Sequence, residues 1–136
     1  MMISTKGRYA LRILSDLATL PEGEFASVKD IADTQGISLK YLEAITAILL
    51  KAEIVESRRG RSGGYRLTKS PSEYSLLTLL KLTEGSISPT SCLDHDEVIC
   101  GRETHCLAYP LWEKISNVVE DYLSSVTLDD LVNGKL

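Results

Sequence analysis

The sequence predicts a mainly α-helical domain that carries one short β-hairpin and closes on a long C-terminal helix. Three observations lead there. Apolar residues recur at helical spacing through several stretches separated by Pro or Gly. One stretch, "IVESRRGRSGGYRLT" (residues 54–68), instead shows two short strand-like runs around a glycine-rich turn. Near the end, "LAYPLWEKISNVVEDYLSSV" (residues 107–126) holds a helical period over about twenty residues without a glycine.

Each element can be justified in order. After Ser4, the residues Tyr9, Ala10, Ile13, Leu14, Leu17 and Ala18 form a stripe at i, i+4, i+8, and Pro21 and Gly23 end it. Ser27, with Asp30 three residues on, reads as a capping box opening a short helix that Gly36 closes. Ser38 opens the next helix, with Leu39, Leu42, Ile45, Leu49 and Leu50 expected to face inward. A short helix, a tight turn and a second helix match the helix-turn-helix pattern, and equally any αα-hairpin packed in a bundle. The hairpin that follows, with strands expected at Ile54–Ser57 and Tyr65–Thr68, breaks the tie in favour of a winged helix. Its tip carries Arg58, Arg59 and Arg61, and Arg66 and Lys69 follow with no acid between Ser57 and Ser72. Gly60, Gly63 and Gly64 allow the backbone to approach another surface closely. Such a wing suits the narrow, negative minor groove or its flanking phosphates. A turn at Ser70-Pro71-Ser72 leads into "EYSLLTLLKLTEG", a further helix ended by Gly85. In the long helix Leu111, Ile115, Val118 and Tyr122 form one seam and Trp112, Val119 and Val126 a flanking one, close to a heptad. A face this wide calls for burial; a two-fold dimer is the preferred partner surface, and packing inside one chain is the alternative. Thr127 with Asp130 caps a last short helix, "LDDLV".

The totals bound the function. At 136 residues the chain makes one domain or one domain with an extension. No apolar run reaches the length of a membrane span, and the charged N-terminus (Lys6, Arg8, Arg12, Asp16) lacks a signal-peptide core, which points to the cytoplasm. Net charge is −4, but residues 1–70 carry +3 and residues 71–136 carry −7. The first half can meet phosphate; the second repels it. Gly60-Arg61-Ser62-Gly63-Gly64 matches the G-x-S-x-G of hydrolases, but a strand rather than a helix follows it, so an enzyme is not expected.

"SCLDHDEVICGRETHC" (residues 91–106) holds all three cysteines, Cys92, Cys100 and Cys106, and both histidines, His95 and His105. An odd number of thiols argues against a disulfide framework. Soft thiolates suit an iron–sulfur cluster or zinc. Thiols in an exposed loop also suit direct redox or electrophile sensing.

Taken in order, "ISTKGRYALRIL", "ISLKYLEAI", "SRRGRSGGYRL" and "CLAYPLWEKI" resemble the IscR/NsrR/CymR family of bacterial winged-helix transcription regulators, the Rrf-two family, over nearly the whole chain. The resemblance implies a homodimer whose long helices cross and whose heads bind a partly palindromic double-stranded operator, with no membrane partner and no small-molecule substrate. It implies a DNA-binding head over residues 1–85, a sensor loop over 86–106, and a dimerisation helix with a short final helix over 107–136. Carried over residue by residue, it puts Ser38, Lys40, Tyr41 and Glu43 on the recognition helix, with Glu43 reading a base and Lys40 meeting phosphate or a base edge. It puts Arg59, Gly60, Arg61, Gly63 and Gly64 in the wing beside Arg58, and makes Tyr65 a packing residue. It implies a [2Fe-2S] or [4Fe-4S] cluster on Cys92, Cys100 and Cys106. Two family positions for a fourth ligand hold Tyr109 and Arg8 here; His105 or His95 in the loop could take that place, or the cluster could be labile and incompletely ligated by the protein. Cluster-free members, including cysteine-metabolism repressors, keep the other reading open.

Overall fold

A computed structural model describes residues 2–94, 100–102 and 104–136. The order is α1 (Thr5–Ala18), α2 (Val28–Gln35), α3 (Leu39–Lys51), β1 (Val55–Arg58), β2 (Gly64–Leu67), α4 (Leu76–Glu84), α5 (Tyr109–Ser125) and α6 (Leu128–Val132). Single 3₁₀ turns lie at Pro71–Glu73 and Ser91–Leu93. The expected mainly helical class with one hairpin is what forms.

The helix starts follow from local chemistry. Ser4, Ser27, Ser38, Ser75 and Thr127 each accept a hydrogen bond from the amide three residues on, at 3.0–3.3 Å. Each such cap contributes about 1 kcal/mol. At Thr127 the full box forms, because the Asp130 carboxylate accepts from the Thr127 amide at 2.9 Å. At Ser27 only the serine half is made among the described residues. Gly36 closes α2 in the left-handed conformation, with φ +62°, where a Cβ is costly.

One core binds these elements. Ile13 and Leu14 of α1, Ile31 of α2, Leu42, Ile45 and Leu49 of α3, Leu79 of α4 and Leu128 of α6 are all fully buried. Each such side chain contributes roughly 1.5–3 kcal/mol relative to exposure. Leu39 departs from its expected place: it is 50% exposed, and Ile37 in the preceding turn is buried in its stead. The strands begin one residue off the expected positions, pairing antiparallel as Val55↔Leu67, Glu56↔Arg66, Ser57↔Tyr65 and Arg58↔Gly64.

The chain's end returns to its beginning. The Leu76 amide donates to the Val126 carbonyl and the Leu128 amide to the Tyr74 carbonyl, both at 2.9 Å. Val126 therefore joins the core rather than the outer flank of the long helix, because α5 ends at Ser125 and the chain turns inward there. By contrast α5 has no fully buried residue. Leu111, Val118 and Tyr122 of its seam are 53%, 61% and 52% exposed, with Ile115 half-buried between them.

Candidate nucleic-acid interface

The recognition-helix residues divide by what already holds them. The Ser38 hydroxyl accepts from the Tyr41 amide at 3.3 Å, so its first duty is to cap α3. The Tyr41 ring meets Tyr9 of α1 edge-on, centroids 5.5 Å apart, and the Arg12 guanidinium lies 5.2 Å from the Tyr9 ring. Arg12 also donates to the Gln35 side chain at 2.9 Å and to the Gln35 carbonyl, while Gln35 donates to Asp16 at 2.6 Å. The turn between α2 and α3 is thereby locked to α1. Lys40 and Glu43 remain exposed, with no ion pair among the described residues. Together with Leu39 they form the outward rim of the first turns of α3.

The wing divides likewise. Arg58 donates to the Ser62 carbonyl at 3.0 Å across the turn. Arg66 is paired with Glu56 and reaches the Gly23 carbonyl at 3.5 Å. Both guanidiniums stack on Phe25. Arg59 and Arg61 are exposed at the tip without a partner among the described residues, and Lys69 is exposed at the far end of β2. The close approach expected of the glycines is internal at two of them. A Cβ on Gly63 would lie 2.0 Å from the Arg58 carbonyl, and one on Gly64 would lie 1.9 Å from the Ala26 carbonyl. Gly64 sits there because Ala26 pairs with Tyr65 in a single antiparallel bridge beside the two-stranded hairpin, through amide–carbonyl bonds of 2.8 and 2.9 Å. Gly60 faces open space. Tyr65 is half-buried against the core, as a packing residue should be. Phe25 escapes sequence reasoning because it stands alone in the polar run "EGEFAS", where no period marks it.

The cysteine loop leaves α4 at Gly85 and rejoins α5 at Tyr109. Ser86 donates to Asp94 across its first turn. Cys92 is half-buried with its Sγ 3.0 Å from the Thr90 hydroxyl, Cys106 is half-buried, and Cys100 and His105 are exposed. His95 lies outside the described residues. Three thiols and an imidazole are a donor set of the right softness for an iron–sulfur cluster. Among the described residues, however, no three Cys, His, Asp or Glu side chains converge on one point. The chemistry of the donors fits the group, while their assembly into a site would require the loop to gather.

Comparison with known proteins agrees with this architecture. The Rrf2 family, described as "Iron-dependent Transcriptional regulator", matches residues 3–134. The HTH-type transcriptional regulator IscR of Pectobacterium carotovorum is 36% identical over 135 residues, covering 99% of this chain and 81% of that one. The structure of CymR, the global cysteine regulator of B. subtilis, superposes with a TM-score of 0.80 at 38% identity, over 98% of this chain and 97% of that one. The IscR of T. potens superposes with a TM-score of 0.79 at 32% identity, over 100% and 89%. No described helix is long and apolar enough to cross a membrane. With a winged-helix head, an exposed basic tip and this likeness along its whole length, the chain belongs to the Rrf2 family of DNA-binding transcriptional regulators and is not an enzyme.

Proposed function

We propose that the protein is a cytoplasmic homodimer that binds a partly palindromic double-stranded operator and adjusts that binding through its three-cysteine loop. One observation carries the DNA half. Lys40, Glu43, Arg59 and Arg61 are exposed, with no ion pair among the described residues, on the two elements a winged helix turns to DNA, whereas Ser38, Tyr41 and Arg58 beside them are engaged within the chain. Glu43 accepts from a cytosine amino group in the major groove, and Leu39 beside it suits a thymine methyl. Lys40, Arg59 and Arg61 meet phosphates or the minor-groove floor; Ser38, Tyr41, Gly60, Gly63 and Gly64 shape the two surfaces. The test is a salt titration of operator affinity. Arg59→Ala and Arg61→Ala should each lower the slope of log K against log salt by about 1 per head. Glu43→Ala should relax sequence preference and leave that slope unchanged. An unchanged preference would remove Glu43 as the reader.

For the loop, the family's description as iron-dependent and the grouping of all three cysteines favour an iron–sulfur cluster. Cys92, Cys100 and Cys106 would hold it, with His105 the nearest fourth donor in sequence. Such a group would supply sensitivity to iron supply or oxidants, and by ordering the loop would favour one arrangement of the two heads. The exposed Cys100 thiol and the likeness to CymR support a second reading, a cluster-free thiol sensor. Anaerobic purification decides between them. Absorption bands near 320–420 nm with matching iron and sulfide establish the cluster. A colourless protein after anaerobic reconstitution, free of zinc, leaves the bare thiols as the sensor.

A further inference from the structure

The chain's one phenylalanine lies between α1 and α2, two residues before the Ser27 cap of α2. Its half-buried ring sits against two guanidinium groups of the hairpin. The Arg58 Cζ is 4.3 Å from the ring centroid and the Arg66 Cζ is 4.5 Å from it. The pleat explains the pairing: Arg66 is opposite Glu56 and Arg58 is opposite Gly64, so Glu56, Arg58 and Arg66 share one face of the hairpin. Gly64 offers no side chain to compete for that ring. Two adjacent guanidiniums repel each other. The electron-rich ring and the Glu56 carboxylate offset that repulsion. Each arginine is tied a second time, Arg58 to Ser62 across the turn and Arg66 to Glu56. The next residue, Ala26, is bonded through its backbone to Tyr65.

We propose that Phe25 is a positioning residue for DNA binding. Stacked on Arg58 and Arg66, it fixes the wing to the segment that begins α2, so that Arg59 and Arg61 are presented at a set angle to α3. Arg58 and Arg66, at the surface, are then taken up by contacts within the chain, and the tip cations carry the phosphate contact. This rests on the DNA reading above and assigns the wing's cations within it.

The test uses the full-length protein and a 30-base-pair duplex selected by the wild type from a randomised pool. Phe25→Leu keeps an apolar side chain but loses the π face; Phe25→Tyr keeps the face. Arg58→Lys keeps the charge but loses the planar stack. Phe25→Leu should bind about tenfold more weakly at an unchanged salt slope, since no charge is removed. Its wing amides, residues 58–66, should exchange faster while those of α3 do not. Phe25→Tyr should restore affinity to within about twofold, and Arg58→Lys should fall with Phe25→Leu. Wild-type affinity in Phe25→Leu or in Arg58→Lys would overturn the proposal, as would a Phe25→Tyr protein as weak as Phe25→Leu. Wing exchange is measured without DNA. If the wild type retains no duplex, the DNA reading fails on its own, and unchanged exchange in Phe25→Leu still overturns the stacking role.

Discussion

Gly60 and Gly64 lie four residues apart in one turn and carry opposite expectations. Both have positive φ, +106° and +138°. A Cβ at Gly60 meets nothing, so Gly60→Ala costs only backbone strain, of order 1–3 kcal/mol. A Cβ at Gly64 meets the Ala26 carbonyl carbon and oxygen, which are backbone and cannot swing aside. Gly64→Ala therefore separates β2 from residue 26 and frees the wing, and it should cost more stability than Gly60→Ala and at least tenfold in operator affinity. Thermal melts and binding on the same two proteins check this; equal losses would show that the contact at Ala26 is not what requires the glycine. Glu53 is the reverse case. It is the one non-glycine residue with φ in the left-handed region among the described residues, at +58°. Its own amide and that of Ile54 close α3 by bonding Leu50 and Leu49 carbonyls at 3.0 Å. Glu53→Gly removes the Cβ penalty, keeps those bonds, and should stabilise by up to about 1 kcal/mol. That is a rise of roughly 3–5 °C in Tm for a domain of this size.

At the scale of elements, α6 shows how local chemistry anchors a long-range contact. Its five residues are too few to be helical alone, yet Leu128 must be held in the core. The Thr127–Asp130 box holds it. The Asp130 carboxyl is pushed below its ordinary value of 3.8, first because it accepts from the Thr127 amide, then from the Thr127 hydroxyl, with Lys135 adding and burial opposing. A carboxyl lowered on folding contributes stability that is fully present above 3.8 and is lost as pH falls through the lower folded value. Asp130→Asn should thus melt below the wild type at pH 7, and the gap should close as the pH is taken below 3.8. A gap that persists in acid would assign the effect to packing. This element and α1 to α4 were legible in the sequence from a Ser or Thr ahead of an apolar period, and α5, which no side chain caps, from its period alone; each is a local signal. The wing was legible as a hairpin for the same reason, although its register was not: glycines at its tip leave the pairing to be set by Ala26, some forty residues upstream. Phe25 and the lock of Arg12 on Gln35 join residues far apart in sequence, and no periodicity reports such contacts. Leu39 has the right spacing to face inward and does not, because Ile37 reaches the core first. Of the residues proposed for the interface, the sequence pattern offered the helix and the tip as wholes. Only the packed structure separates Lys40, Glu43, Arg59 and Arg61 from neighbours already engaged within the chain.

At the scale of the whole molecule, the basic head and the acidic C-terminal half set different tasks. The +3 of residues 1–70 suits an operator, and the −7 of residues 71–136 favours keeping the long helix away from phosphate. What that helix offers instead is the seam of Leu111, Ile115, Val118 and Tyr122, exposed or half-buried in one chain and spaced at three, four and seven residues. A second copy crossing on this seam would cover it by two-fold symmetry and set the two recognition helices about 34 Å apart, in successive major grooves. Val118→Asp tests this. Val118 is 61% exposed in the single chain, so the substitution leaves the fold intact by circular dichroism while placing two like charges at the crossing. The wild type should sediment as a dimer and the variant as a monomer. Its DNA binding should change in kind as well as strength. If each head neutralises about three phosphates, the dimer's log K falls with log salt at a slope near −5 and the monomer's at about half that. A Val118→Asp protein that remains dimeric moves the dimer contact off this seam. One that is monomeric yet keeps the steep slope would show that a single head makes all the phosphate contacts.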